Sequence, residues 1–223
     1  MDWSPILISM RTAGLSIVFT FFMGILAAWM VVRISHPLVK TILDGIFTIP
    51  LVLPPTVAGF FLLYVFGVKR PVGQFFLEYF SVKITFSWGA TVLAAVVMSF
   101  PLMYRSARGA FEQVDDTLVQ AARTLGMGEW TIFRKVLLAN AVPGVVSGGV
   151  LAFARGLGEF GATAMIAGNI AGKTRTLPMA VYSEVAAGNM EAAYSYVAII
   201  VVIAFLSVFL MNGVMWYSQK KSR

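Results

Sequence analysis

Asp115-Asp116-Thr117-Leu118-Val119-Gln120-Ala121-Ala122-Arg123-Thr124-Leu125-Gly126-Met127-Gly128-Glu129-Trp130-Thr131-Ile132-Phe133-Arg134-Lys135-Val136-Leu137-Leu138 is a polar stretch set between apolar blocks. Asp115 is placed to cap a helix, because its carboxylate can accept from the free N–H groups of a first turn. Leu118, Ala121, Ala122 and Leu125 then fall at helical spacing on one face. Gly126 stops that helix, as glycine does at a left-handed C-terminal position. A second helix follows with Trp130, Phe133 and Leu137 on one stripe. The stretch reads as two short amphipathic helices at an angle, tethered at both ends. One reading is a connector lying on a surface. A DNA-reading helix-turn-helix is disfavoured by the tethering. The third reading is a docking element: Ala121 and Ala122 let another protein approach closely, and Trp130 and Phe133 act as aromatic anchors in its pocket.

The blocks outside this loop, taken as 105–140, set the fold class. Segments 12–32, 46–66, 86–104, 141–166 and 196–216 are each apolar over about 20 residues, roughly 30 Å of helix and enough to cross a bilayer core. Of the 223 residues 59% are hydrophobic and 12% are charged, against about a quarter charged in a soluble domain. The expectation is an all-α integral membrane protein, one domain over 1–223 with about five transmembrane helices. The net charge of +7 does not argue for nucleic acid, because the cations gather at the ends of apolar blocks, as orientation signals do. Loops 33–45 and 105–140 with the tail 218–223 carry more Lys and Arg than the opposite side, where Arg11, Lys69, Arg70, Lys83, Lys173 and Arg175 lie. The bias predicts the N-terminus outside and the C-terminus, past the interfacial Trp216 and Tyr217, in the cytoplasm. Segment 177–193 is too short and too polar to span and reads as an external amphipathic helix or a re-entrant piece. The first apolar block is too long for a signal peptide. Cysteine is absent, which excludes disulfides and thiolate metal sites. His36 stands alone before a proline and reads as structural or solvated. No catalytic residue, metal or cofactor is expected.

The run Gln120-Ala121-Ala122-Arg123-Thr124-Leu125-Gly126, continuing to Val136-Leu137-Leu138, resembles the EAA loop of binding-protein-dependent ABC importer permeases. The alanines, the glycine and Leu138 match that pattern in spacing; Gln120 stands for its glutamate, Val136 for its isoleucine and Ala139 for its proline. Residues 49–59 and 154–163 look like the permeases of molybdate and sulfate importers, and 174–182 is most similar to the molybdate type. Together these pieces cover about residues 10–215. The resemblance implies the type-I ABC importer permease fold in the cytoplasmic membrane of a prokaryote, with a cytoplasmic helix-turn-helix coupling loop. It implies that Gln120, Ala121, Ala122, Gly126, Trp130 and Phe133 serve docking to the ATPase. The partners implied are a second permease chain in a homodimer, two cytosolic ABC ATPase subunits and an external oxyanion-binding protein. The chain is short for the sulfate type, which favours molybdate over sulfate or thiosulfate; tungstate shares its shape and charge.

Arg155 and Glu159 are the ionisable residues deep in an expected span, and such residues face a cavity or one another. Their i,i+4 spacing puts them on one helix face. Either the pair orients the fourth helix, or Arg155 offsets a passing dianion while Glu159 holds the guanidinium. Pro50, Pro54 and Pro55, with Thr56 beside them, place a kink in the second span, and irregular backbone at membrane depth is tolerated where it is buried in protein or lines water. Gly144, Gly148 and Gly149 permit close helix approach, within one chain or at a dimer seam. Gly168-Asn169-Ile170-Ala171-Gly172-Lys173-Thr174 imitates a phosphate loop, but three residues separate its glycines where four are needed, so ATP hydrolysis is expected on a separate subunit. Two other classes remain: a gradient-driven secondary anion transporter, which tends to show inverted repeats and none is apparent, and a membrane enzyme, which would cluster polar groups at one depth.

Overall fold

The computed structural model describes residues 2–221, and all the regular structure among them is helical. Residues 1, 222 and 223 and the side chains of 214–221 lie outside that description, so the expected interfacial pair Trp216 and Tyr217 and the tail cations Lys220, Lys221 and Arg223 fall there.

Three helices form the centre: α1 (Ser4–Val32), and, in the numbering used from here, α5 (Trp88–Glu112) and α8 (Leu138–Leu157). α1 buries a stripe made mostly of small residues, Ser9, Thr12, Ala13, Ser16, Thr20, Ala27 and Ala28, with Ile8, Ile25 and Val31. In a membrane the lipid is as apolar as leucine, so close packing of small residues and interhelical hydrogen bonds drive association. The hydroxyls of Thr12 and Thr91 lie 2.8 Å apart, and those of Thr20 and Ser99 lie 3.0 Å apart. The constant sequence offset of these pairs makes α1 and α5 parallel. α8 runs antiparallel to both. A Cβ on Gly144 would stand 2.7 Å from the Ala110 Cβ, and one on Gly148 would overlap Ser106, both on α5. A Cβ on Gly149 would stand 3.2 Å from the Phe21 ring on α1. These glycines make close approaches to α5 and α1 within the chain.

The second span differs from the expected single helix over 46–66. α2 (Pro37–Val52) begins earlier, and α3 (Pro55–Phe66) turns away from it by 110°. A residue before proline is driven out of the helical region. Leu53 precedes Pro54 and Pro54 precedes Pro55, so two successive residues are extended, with ψ of 141° and 135°, and the helix breaks where only a kink was expected. The fourth span also breaks. Helix runs without interruption from Glu129 to Leu157, through α7 (Glu129–Ile132), one π-helical turn (Phe133–Leu137) and α8. The chain then stops at Gly158 and restarts as α9 (Gly161–Ala167). The second helix expected in the loop 105–140 is therefore the first part of the fourth span, and α5 itself extends to Glu112. The separate piece is α6 (Asp116–Thr124).

α9 packs against α3. A Cβ on Gly59 would stand 2.6 Å from the Ala162 Cα and 2.8 Å from its carbonyl oxygen. Backbone cannot swing aside as a flexible side chain can. Gly59→Ala is expected to lower stability by about 1–3 kcal/mol, the range for overpacking. Gly14→Ala, on α1 with nothing within 4 Å of the added methyl, leaves the thermal midpoint unchanged or slightly raised. Thermal unfolding of the two detergent-solubilised variants side by side checks this.

α4 (Pro71–Phe80) joins α3 to α5 and exposes Phe75, Tyr79 and Phe80; it was not among the expected elements. Segment 177–193 contains α10 (Leu177–Ala186), which buries Leu177, Met179 and Ala180. Its first N–H donates to the Ser9 hydroxyl at 2.7 Å. α11 (Met190–Lys221) completes the chain. Among the described residues four helices are long and apolar enough to cross a membrane, or five with α2 and α3 as one broken span.

Candidate coupling loop and pathway residues

α6 is built as its residues dictate. The Asp115 carboxylate accepts the Thr117 N–H at 2.9 Å, and this backbone donor holds the carboxyl below its ordinary pKa. At the other end Gly126 has φ of 75°. Met127 N–H donates to the Ala122 carbonyl at 3.1 Å and Gly126 N–H to that of Arg123 at 2.9 Å, the paired bonds of a Schellman motif. Arg123 Nε donates to Glu129 Oε1 at 2.9 Å, and Arg33 at the end of α1 lies 3.3 Å from the same carboxylate. These contacts fasten α6 to the core.

The expected apolar face of α6 divides in two. Ala122 is 4% exposed and turned inward, so it cannot give a partner close approach. Leu118, Ala121 and Leu125, at i, i+3 and i+7, face outward with Gln120 and Gly126; Leu125 is 80% exposed. The aromatic pair divides likewise. Trp130 is half exposed, whereas Phe133 is 4% exposed. Phe133 stacks 4.6 Å from Trp29 and lies 6.0 Å from Phe111. Continuous helix carries Phe133, Leu137 and Ala141 to the inner side at i, i+4 and i+8. The expectation of Phe133 as an anchor for another protein is thereby corrected: its ring already fills its own core.

Sequence reading missed an ionic belt at this end. Lys40 on α2 lies 3.0 Å from Glu112 on α5, and Arg108 Nε donates to the same carboxylate at 3.0 Å. Asp44 on α2 pairs with Arg108 and accepts the Tyr104 hydroxyl. α2 buries no residue fully, so these bonds, with Phe47 packed edge-on to Phe100 and Tyr104, tie it to α5. The signal was present in the i,i+4 pairs Lys40/Asp44 and Arg108/Glu112, but nothing local says that the two pairs meet.

Arg155 and Glu159 do meet, with Nη1 2.6 Å from Oε2. The Glu159 side chain is 1% exposed and that of Arg155 is 27% exposed. The second Glu159 oxygen accepts the Ala162 N–H at 2.8 Å. Glu159 thus stands in the break between α8 and α9, holding the last turn of one and the first turn of the other. Pro55 and Thr56 approach the same break, since a Cβ on Gly161 would stand 2.8 Å from the Pro55 Cβ and 3.2 Å from the Thr56 nitrogen. The tertiary structure therefore brings Pro55 and Thr56, with Pro54 next in the chain, to the break that Glu159 holds, where two interrupted helices face each other. Pro50 lies inside α2, before that break.

The phosphate-loop imitation connects α9 to α10. Its Thr174 is fully buried, accepts the Ile170 N–H at 3.0 Å and donates to the Gly168 carbonyl at 3.0 Å. The hydroxyl that a phosphate loop would offer to a metal is used by the loop's own backbone.

Residues 20–223 match the family described as the binding-protein-dependent transport system inner membrane component. The chain is 41% identical over 222 residues to the molybdenum transport system permease protein ModB of Escherichia coli K12, covering 99% of this chain and 96% of that one. It is 33% identical over 205 residues to the sulfate transport system permease protein CysT of the same organism, covering 92% and 73%. Among solved structures it is similar to a chain of the inward-facing MetNI methionine ABC transporter, with a TM-score of 0.75, 18% identity and 97% of both chains covered.

Proposed function

The chain belongs to the family of binding-protein-dependent transport system inner membrane components, and from that premise we propose that it is the membrane-spanning permease subunit of an ATP-driven importer that carries molybdate across the cytoplasmic membrane. The observation that carries this reading is 41% identity across nearly the whole chain to a molybdenum permease. The outward face of Leu118, Ala121 and Leu125 adds a place for a motor to push.

Residues 1–223 act as one transmembrane domain in a homodimer, since one chain of about five spans is too small to enclose a gated path. Two cytosolic ATPase subunits each take an α6 in a cleft, and an external binding protein delivers the oxyanion to the opposite end. The chain itself holds no nucleotide and makes or breaks no covalent bond. Arg33, Lys40, Arg105, Arg108, Arg123, Arg134 and Lys135 gather at the α6 end, which supports a cytoplasmic position for that end and an outside N-terminus. ATP-driven closure of the motor draws the two α6 helices together, and the central helices rock as one piece because small residues interlock them. The two broken helices meeting at Glu159 are the flexible seam of the path. There Arg155, with an exposed edge, offsets part of the dianion's charge while Glu159 keeps its affinity low enough for release.

The test is uptake by proteoliposomes carrying the permease, its ATPase and its binding protein, with molybdate, tungstate and sulfate in competition. Molybdate uptake that requires ATP and resists excess sulfate is expected. Sulfate uptake of equal efficiency, or uptake by the permease alone under an ion gradient, sinks the proposal.

A further inference from the structure

A cavity of about 630 Å³ opens between the cytosolic ends of α5 and α8 and the start of α6. Its polar lining comes from Arg105, Ser106, Gln113, Asp115 and Asn140, with Gly109 and Gly144 leaving room between them. Resting on the permease reading above, we infer that this cavity is the cytosolic release site for the transported oxyanion and that Arg105 is the residue that holds the anion there.

Charge pairing and place in the cavity together single out Arg105. Arg33, Lys40, Arg108 and Arg123 at this end each lie within hydrogen-bonding or ion-pair distance of a carboxylate. Arg105 has no carboxylate partner among the described residues and is exposed. Arg134 and Lys135 are also without one among the described residues, but Lys135 does not line this cavity, and the cavity Arg134 borders is walled by Phe21, Phe22, Leu138 and Val142, surfaces for hydrocarbon rather than for an anion. The chemistry around Arg105 suits a tetrahedral oxyanion. A planar guanidinium can bond two oxygens at once, the Ser106 hydroxyl and the Gln113 amide are donors, and Asn140 retains one N–H after giving the other to the Val136 carbonyl at 2.7 Å. Asp115 also borders the cavity. Its carboxylate is already turned to the Thr117 N–H, and its negative charge opposes lasting capture of a dianion. One cation, neutral donors and one opposing charge make a weak site, as release requires.

The chain lacks cysteine, so Gly109→Cys supplies a unique thiol in this subunit, at a position where an added side chain meets nothing within 4 Å. In the nucleotide-free complex, millimolar molybdate or tungstate is expected to slow its modification by an anionic, membrane-impermeant thiol reagent by about tenfold, and Arg105→Gln to remove that protection while Arg105→Lys keeps most of it. Arg105→Gln is also expected to cut uptake per ATP hydrolysed by about tenfold while the ATPase stays bound. Labelling indifferent to oxyanion, or protection that survives Arg105→Gln, overturns the inference. So does uptake per ATP that is unchanged in Arg105→Gln, or loss of ATPase binding along with uptake, which would place Arg105 in the coupling contact. A wild-type complex that carries none of molybdate, tungstate and sulfate defeats the permease reading instead, whatever Arg105 does.

Discussion

Replacing both Leu118 and Leu125 by aspartate is expected to abolish retention of the ATPase and, with it, uptake. The two side chains lie on the outward face of α6 and its C-cap, Leu118 about half exposed at 47% and Leu125 largely exposed at 80%. In a partner's cleft each would be desolvated, and buried apolar anchors of this kind contribute about 2 kcal/mol or more apiece. A carboxylate in the same cleft adds a charge without a partner, so the paired change exceeds simple truncation. Because both side chains already face solvent, the isolated permease should unfold at the wild-type temperature. Phe133→Ala should behave in the opposite way. It removes a core ring next to Trp29 and Phe111 and destabilises the permease by about 3–5 kcal/mol. Pull-down of the ATPase and thermal unfolding of the same preparations separate the two effects. Undiminished ATPase retention in the aspartate variant would remove α6 from the docking surface.

Glu159→Ala is expected to destabilise the chain by about 3 kcal/mol, the loss seen when one member of a buried ion pair is removed and its partner stays. Both Glu159 oxygens are in use, one on Arg155 and one on the Ala162 N–H, so the change strands a cation and frees the first turn of α9. Glu159→Gln keeps an acceptor for Ala162 and should lose less. Arg155→Leu combined with Glu159→Ala removes both charges and should regain part of the stability. Thermal unfolding ranks the three variants. The double variant, if folded, then reports on transport: unaltered uptake leaves the pair an orienting device, whereas lost uptake with intact assembly places Arg155 on the anion's path.

Helix α6 was legible because its signals are local. Asp115 needs only the N–H groups that follow it, and Gly126 needs only a backbone that must turn left-handed. The apolar blocks were legible for the same reason, since crossing a bilayer is a matter of length and composition. What misled was the assumption that periodicity shows which side a residue faces. Ala122 and Phe133 sit at helical spacing with Leu118 and Trp130, yet each faces inward, because the helix from Glu129 runs unbroken into the span and presses its aromatic stripe onto Trp29. The prolines announced an irregularity, but its size came from two consecutive residues each preceding a proline.

By itself the sequence determined a helical membrane protein, the end at which its cations gather, a capped handle between two spans and the residues able to pair as Arg155 and Glu159 do. Only the tertiary structure decided that Lys40 and Asp44 meet Arg108 and Glu112, that the glycines of α8 let α5 and α1 approach closely, that the two broken helices meet at Glu159, and that Arg105 is left without a carboxylate among the described residues. The difference is physical. Capping, turning and span length act over a few neighbouring residues, whereas charge pairing and close approach depend on which helices pack side by side, and the small-residue stripe of α1 sets that register through contacts between segments far apart in the chain.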